Sequence, residues 1–123
     1  MYRRIPGQWI SVFAAVVLVG GASQLAWAHA ILMESSPAAN STVNGPDLNF
    51  NLRFNVRVDG SRSKLRLVAA DGSLTNVVIA KQSNPDTLQA TVTALKAGAY
   101  KLQWNVLDSD GHMSRGEIPF TVK

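Results

Sequence analysis

Two histidines, His29 and His112, are the only imidazoles in a chain that contains no cysteine. Thiolate zinc sites, disulfides and cysteine nucleophiles are excluded, so metal or acid–base chemistry falls to imidazole, carboxylate and amine groups. His112 follows Asp110 with one residue between them, in Asp108-Ser109-Asp110-Gly111-His112. If that stretch is extended, Asp110 and His112 project from the same face. His29 directly follows Ala26-Trp27-Ala28, a small-x-small pattern of the kind a signal peptidase cuts. Cleavage there would give His29 a free α-amine, which together with ring Nδ1 closes a six-membered chelate on one metal ion. An α-amine ordinarily titrates at about 8, and a strongly Lewis-acidic metal displaces its proton near neutrality. Two imidazoles, an amine and a carboxylate make a nitrogen-rich, tetragonal set. Such a set suits Cu(II), which heads the divalent affinity series. Zinc would accept the same ligands in a tetrahedron, but the spacings of structural zinc sites are missing.

Ordinary readings stand beside these. A lone loop histidine is commonly just solvated, and Asp-Gly is commonly a turn. Asp108-Ser109-Asp110-Gly111 resembles a calcium loop, but its glycine comes too early and no glutamate follows at the required spacing. Ser36, Ser109 and Ser114 lack a general base once both histidines are ligands. Arg53, Arg57, Arg62, Lys64 and Arg66 alternate with apolar residues as one solvated sheet face. Without exposed aromatics between them they do not form a nucleic-acid surface.

The elements that must position these groups follow from the rest of the chain. Met1 to Gln8 carries Arg3 and Arg4, and Ile10 to Val19 is apolar except for Ser11. Gly20, Gly21 and Ser23 precede the Ala28 junction, completing a three-part secretory leader over residues 1–28. Ile5-Pro6-Gly7 is not the usual continuation of a twin-arginine signal, so general secretion is the expected route. An uncleaved membrane anchor over Trp9 to Ala28 is the alternative. All eight acidic residues lie at Glu34 or later, so removing Arg3 and Arg4 with the leader leaves a nearly balanced remainder. That balance again argues against nucleic acid as a partner.

With 46% apolar and 16% charged residues, the chain is neither a disordered tail nor a polyelectrolyte. Residues 29–123 suffice for one domain, which at this size buries roughly 60–70% of its unfolded surface. Leu48, Phe50, Leu52, Phe54, Val56 and Val58 alternate with polar residues, the signature of a half-buried strand. Ile31 to Met33, Lys64 to Ala69, Val77 to Ile79, Thr87 to Leu95, the row Tyr100, Leu102, Trp104, Val106 and the row Ile118, Phe120, Val122 supply the others. Ser36-Pro37, Asn44-Gly45-Pro46, Asp59-Gly60, Asp71-Gly72 and Asn84-Pro85 punctuate them as turns. About seven short strands without helical periodicity predict an all-β fold, a small immunoglobulin-like Greek-key sandwich or barrel.

On specific motifs the sequence resembles the CopC-type copper-binding proteins of the bacterial periplasm. His29-Ala30, then Ser35-Ser36-Pro37-Ala38 and Val43, is similar to that family's opening, and Leu48 to Phe54 to the strand that follows. Gly98 to Trp104 is similar to its G-x-Y-x-V-x-W strand, and Ser109 to His112 with Gly116 to Val122 to its ending. The resemblance covers residues 29–123. It implies a periplasmic Cu(II) protein with one ion per chain, held by the amine and Nδ1 of His29, by Asp110 and by His112. It also implies a CopD-type inner-membrane partner, necessarily separate from this chain. Some members add a methionine-rich Cu(I) site; here only Met33 and Met113 follow the leader, so one Cu(II) site and no dedicated Cu(I) site is expected. Met33 is expected to fill the core and Met113 to point away from the His112 side. Where relatives carry F-S-E-P, this chain has Phe54-Asn55-Val56-Arg57.

Three functions are compatible with these residues: a non-catalytic copper carrier or buffer, a histidine-brace copper oxidase or monooxygenase, and a metal-free structural sandwich. The brace enzymes share only the N-terminal histidine and are generally much longer. A carboxylate among the ligands also disfavours the Cu(I) state that oxygen activation needs. The carrier is the favoured expectation, with no catalytic residues.

Overall fold

The computed structural model describes residues 29–123, so the expected leader and its cleavage point lie outside the described residues. Eight strands and no helix occur there: β1 (Leu32–Ser36), β2 (Ser41–Val43), β3 (Leu48–Phe54), β4 (Val58–Ala69), β5 (Leu74–Val77), β6 (Thr87–Val92), β7 (Gly98–Asp108) and β8 (Met113–Val122). They form a three-stranded sheet, β1-β3-β6, and a five-stranded sheet, β2-β8-β7-β4-β5. Every pairing is antiparallel except β2 with β8.

The alternation of β3 does what its pattern requires. Leu48, Phe50, Leu52 and Phe54 are buried, while Asn49 and Asn51 face outward. There they accept cross-strand hydrogen bonds from Thr91 Oγ1 (2.9 Å) and Gln89 Nε2 (3.1 Å) on β6. The opposing sheet contributes Leu65, Leu67, Leu102, Trp104, Val106, Ile118, Phe120 and Val122. Edge-to-face contacts Phe54–Trp104 (5.2 Å) and Phe50–Phe120 (5.7 Å) lock the two sheets together.

Several expectations are corrected. The described residues hold eight strands where about seven were expected, the unforeseen one being Ser41–Val43, which lies parallel to β8 and is too short to show a period. The strand expected to run from Leu48 to Val58 breaks after Phe54, and the alternation resumes at Val58 as β4. Asp59-Gly60, expected as a turn, lies inside β4 at an irregularity opposite β7. Buried Ser63 stabilises it, donating to Asp59 O (2.6 Å) and accepting from Leu107 N (3.0 Å). The strand expected at Val77–Ile79 runs instead over Leu74–Val77, with Ile79 left as a single bridge to Ala90. Met33 is 53% exposed rather than core, because a shift in register between Leu32 and Glu34 turns it outward. The basic residues do not share one face either. Arg53 lies on the three-stranded sheet, paired with Glu34 (2.9 Å), whereas Lys64 and Arg66 lie on β4 of the other.

Candidate metal centre

The β7–β8 hairpin carries His112. Its loop is not extended, and this corrects the premise on which Asp110 and His112 were placed on one face. Gly111 N–H donates to Asp108 O (3.1 Å), Asp108 N–H donates to His112 O (2.9 Å), and Gly111 takes φ 88°. That is a three-residue loop built on a type I turn with a left-handed glycine, a conformation that Asp-Gly supplies at little cost. Asp108 Oδ1 accepts the backbone N–H groups of Asp110 (2.9 Å) and His112 (3.0 Å), fixing the loop from its first residue.

His29 arrives from the other direction, on the segment that leads into β1. Ala30 is buried, and its N–H donates to Ser114 Oγ (3.0 Å) on β8. Ile31 is held twice by Asn55: its N–H donates to Asn55 Oδ1 (2.7 Å), and its carbonyl accepts from Asn55 N–H (3.0 Å). These bonds lay the His29 end beside the hairpin tip. The imidazoles of His29 and His112 lie with ring centroids 6.1 Å apart at an interplanar angle of 62°. A metal–nitrogen bond of about 2.0 Å on each side, plus the ring radii, puts two opposed imidazoles on one ion at roughly 6 to 6.5 Å. The observed pair falls in that span.

The structure thus brings His29 and His112 together, with Asp110 on the turn two residues before His112. Asp110 is exposed at the turn, where its backbone N–H donates to Asp108 Oδ1. Among the described residues no three His, Cys, Asp or Glu side chains converge as a ready-made metal cage. Asp108 is the carboxylate beside His112, with Oδ1 4.0 Å from Nδ1. It is 3% exposed, and its Oδ2 has no hydrogen-bond partner. Sequence reading put Asp108 near His112 without a role and gave Ser114 and Asn55 no place at the site. The Asp108 role was legible in principle, because aspartate at the first turn position bonds the backbone two residues on. The Ser114 and Asn55 contacts join segments too far apart in sequence for any local pattern to show. A hollow of about 720 Å³ along β4 and β5, lined by Ser61, Ser63, Lys64, Arg66 and Asn76 among others, contains neither imidazole.

Fold and paired imidazoles place the chain among small immunoglobulin-like β-sandwiches with a nitrogen-donor pair at one end. Residues 32–123 match the CopC domain family. Copper resistance protein C of Xanthomonas campestris pv. juglandis is 34% identical over 123 residues, covering 92% of this chain and 96% of that protein. The crystal structure of CopC from Methylosinus trichosporium OB3b superposes with a TM-score of 0.72 at 30% identity, covering 77% of this chain and 94% of that one. PcoC from Escherichia coli, a methionine-rich copper resistance protein, superposes at 0.66 with 28% identity, covering 78% of this chain and all of its own. The chain belongs to the CopC family of copper resistance proteins.

Proposed function

We propose that this protein is a non-catalytic carrier or buffer of Cu(II) in the periplasm, exported by the leader 1–28 and cut after Ala28. Copper is cargo. One ion per chain is held by the α-amine and Nδ1 of His29, by the His112 imidazole and by the Asp110 carboxylate, and is passed to a separate CopD-type inner-membrane protein. The observation that carries this reading is the 6.1 Å approach of the two imidazoles from opposite ends of the described chain. Buried Ala30 and the Ser114 and Asn55 bonds support it, because they hold the residues after His29 in place before any ion arrives. Asp110 sits two residues before His112 with an exposed carboxylate able to turn toward an ion bound there. The order of metal affinities and the nitrogen-rich donors favour Cu(II) over zinc.

The test compares the protein matured in cells, with His29 confirmed by mass as its first residue, and a variant with one glycine inserted between Ala28 and His29. Titration and electron paramagnetic resonance should show one tightly bound Cu(II) with nitrogen ligands in the first. The second should bind at least about tenfold more weakly, a change of 1.4 kcal/mol or more. Equal binding by the two proteins, or none by either, overturns the reading.

A further inference from the structure

The β4–β5 and β7–β8 hairpins close with the same five-residue construction. In the first, Gly72 N–H donates to Ala69 O (2.9 Å), Ala69 N–H to Ser73 O (3.0 Å), and Gly72 takes φ 87°. The second repeats these bonds from Asp108 to His112, with Gly111 at φ 88°. The two loops differ at their opening position, which is Ala69 in one and Asp108 in the other. The turn therefore needs no carboxylate at that position. Asp108 is nonetheless there and buried, with Oδ1 accepting two backbone N–H groups and Oδ2 accepting none. An anionic oxygen withdrawn from water without a partner is costly, and such a group is retained where it has another task. The side chain beside it is His112, whose Nδ1 lies 4.0 Å from Oδ1. That separation is at the outer edge of an ion pair, and the His112 side chain is 58% exposed while that of Asp108 is 2% exposed.

We propose that Asp108 is a positioning residue for His112. Its carboxylate accepts the Nδ1–H of the imidazole and so leaves Nε2 as the lone-pair nitrogen offered to a metal. This rests on the reading of His112 as a copper ligand. Histidines that bind metals generally donate their second N–H to a carboxylate or carbonyl, which fixes the tautomer and raises the basicity of the ligating nitrogen. Asp108 would then perform two tasks from one buried position, shaping the loop through Oδ1 and selecting the imidazole nitrogen through the carboxylate as a whole. Asp110 differs from it in lying at the exposed turn, whereas Asp108 is 3% exposed with Oδ1 4.0 Å from His112 Nδ1.

The metal-free protein, matured in cells from the full chain and labelled with 15N, gives the test. Long-range 1H–15N spectra at about pH 8, where an ordinary imidazole is neutral, read which nitrogen carries the proton. The expected result is His112 as the Nδ1–H tautomer in the parent. In Asp108→Asn, which keeps a side-chain carbonyl for the loop N–H groups, His112 should move toward the Nε2–H form. Cu(II) affinity should fall 10–100-fold in that variant. A parent His112 in the Nε2–H form overturns the proposal without any variant, so a misfolded Asp108→Asn would not protect it. An unchanged tautomer in a folded Asp108→Asn overturns it equally. If the parent binds no Cu(II) yet Asp108→Asn shifts the tautomer, the copper reading fails and the orienting role of Asp108 stands.

Discussion

Asn55 and Ile31 exchange two hydrogen bonds, Ile31 N–H to Asn55 Oδ1 at 2.7 Å and Asn55 N–H to Ile31 O at 3.0 Å. One is a side-chain bond and the other is backbone, so the pair imitates a strand ladder where β3 has already ended. Together with Ala30 N–H on Ser114 Oγ, it fixes the two residues after His29.

Removing these anchors should loosen His29 without dissolving the sandwich. Asn55→Ala and Ser114→Ala should each lower Cu(II) affinity by about tenfold, within the range seen when groups supporting metal ligands are lost. Isothermal titration against the parent checks the affinity. Ser114→Ala strands the buried Ala30 N–H and should also cost about 1–3 kcal/mol in denaturant unfolding.

Copper should stabilise the fold, because an unfolded chain cannot bring residues 29 and 112 together. At free Cu(II) a hundredfold above Kd the gain is about 2.7 kcal/mol, a rise in Tm on the order of 10–20 °C for a domain of this size. His112→Ala should abolish that rise. Calorimetry of the two proteins with and without Cu(II) decides it; a rise that persists in His112→Ala would remove His112 from the site.

Binding should weaken as pH falls from 7 toward 5, since imidazoles and amine must shed protons to take the ion. A Kd unchanged over that interval would exclude these donors.

The metal-free fold has its own acid limb. Hydrogen bonds from the Ser61 side chain and from Arg62 hold the Asp59 carboxyl below its usual range, and Ser73 does the same for Asp71. A depressed folded-state pKa adds stability above the unfolded value, and that stability is lost as pH drops through the folded one. Melting temperature should therefore fall on going below pH 4, and the fall should be shallower in Asp59→Asn and Asp71→Asn.

Gly116 pairs with Trp104 across β7 and β8, and a Cβ there would meet the indole, at 2.7 Å from Cε2 as well as against Cζ2. Gly116→Ala should cost about 1–3 kcal/mol, the usual penalty of overpacking a filled core. Urea unfolding measures the loss, and near-ultraviolet circular dichroism should register a displaced indole.

The sandwich was legible where the side chains themselves alternate. Leu48 to Phe54 and Tyr100 to Val106 each write their burial as a period of two, and both rows pack as written, Tyr100 half-buried at its end. It was less legible where backbone pairing decides. Ser41–Val43 is a strand only because β8 lies alongside, and Gly60 lies in a strand because Ser63 and Gln82 bond the irregular backbone around it. At the site the two histidines stood out by type and position alone. The loop-shaping bonds of Asp108 follow from its turn position, but the Ser114 and Asn55 contacts join distant segments, which no spacing in the chain encodes.

The parallel strand β2 has a consequence at the far end of the molecule. Val43 O accepts Lys123 N–H (2.9 Å) and Gly45 N–H donates to Lys123 O (3.2 Å), clipping the last described residue in place. β8 runs unbroken from Met113, next to His112, to Val122, and ten strand residues span about 33 Å. The domain therefore has two poles along β8: imidazoles at one, the Lys123 carbonyl at the other. Anything attached at Lys123, whether a label, a solid support or another domain, would hold the sandwich at that pole and present the histidines outward.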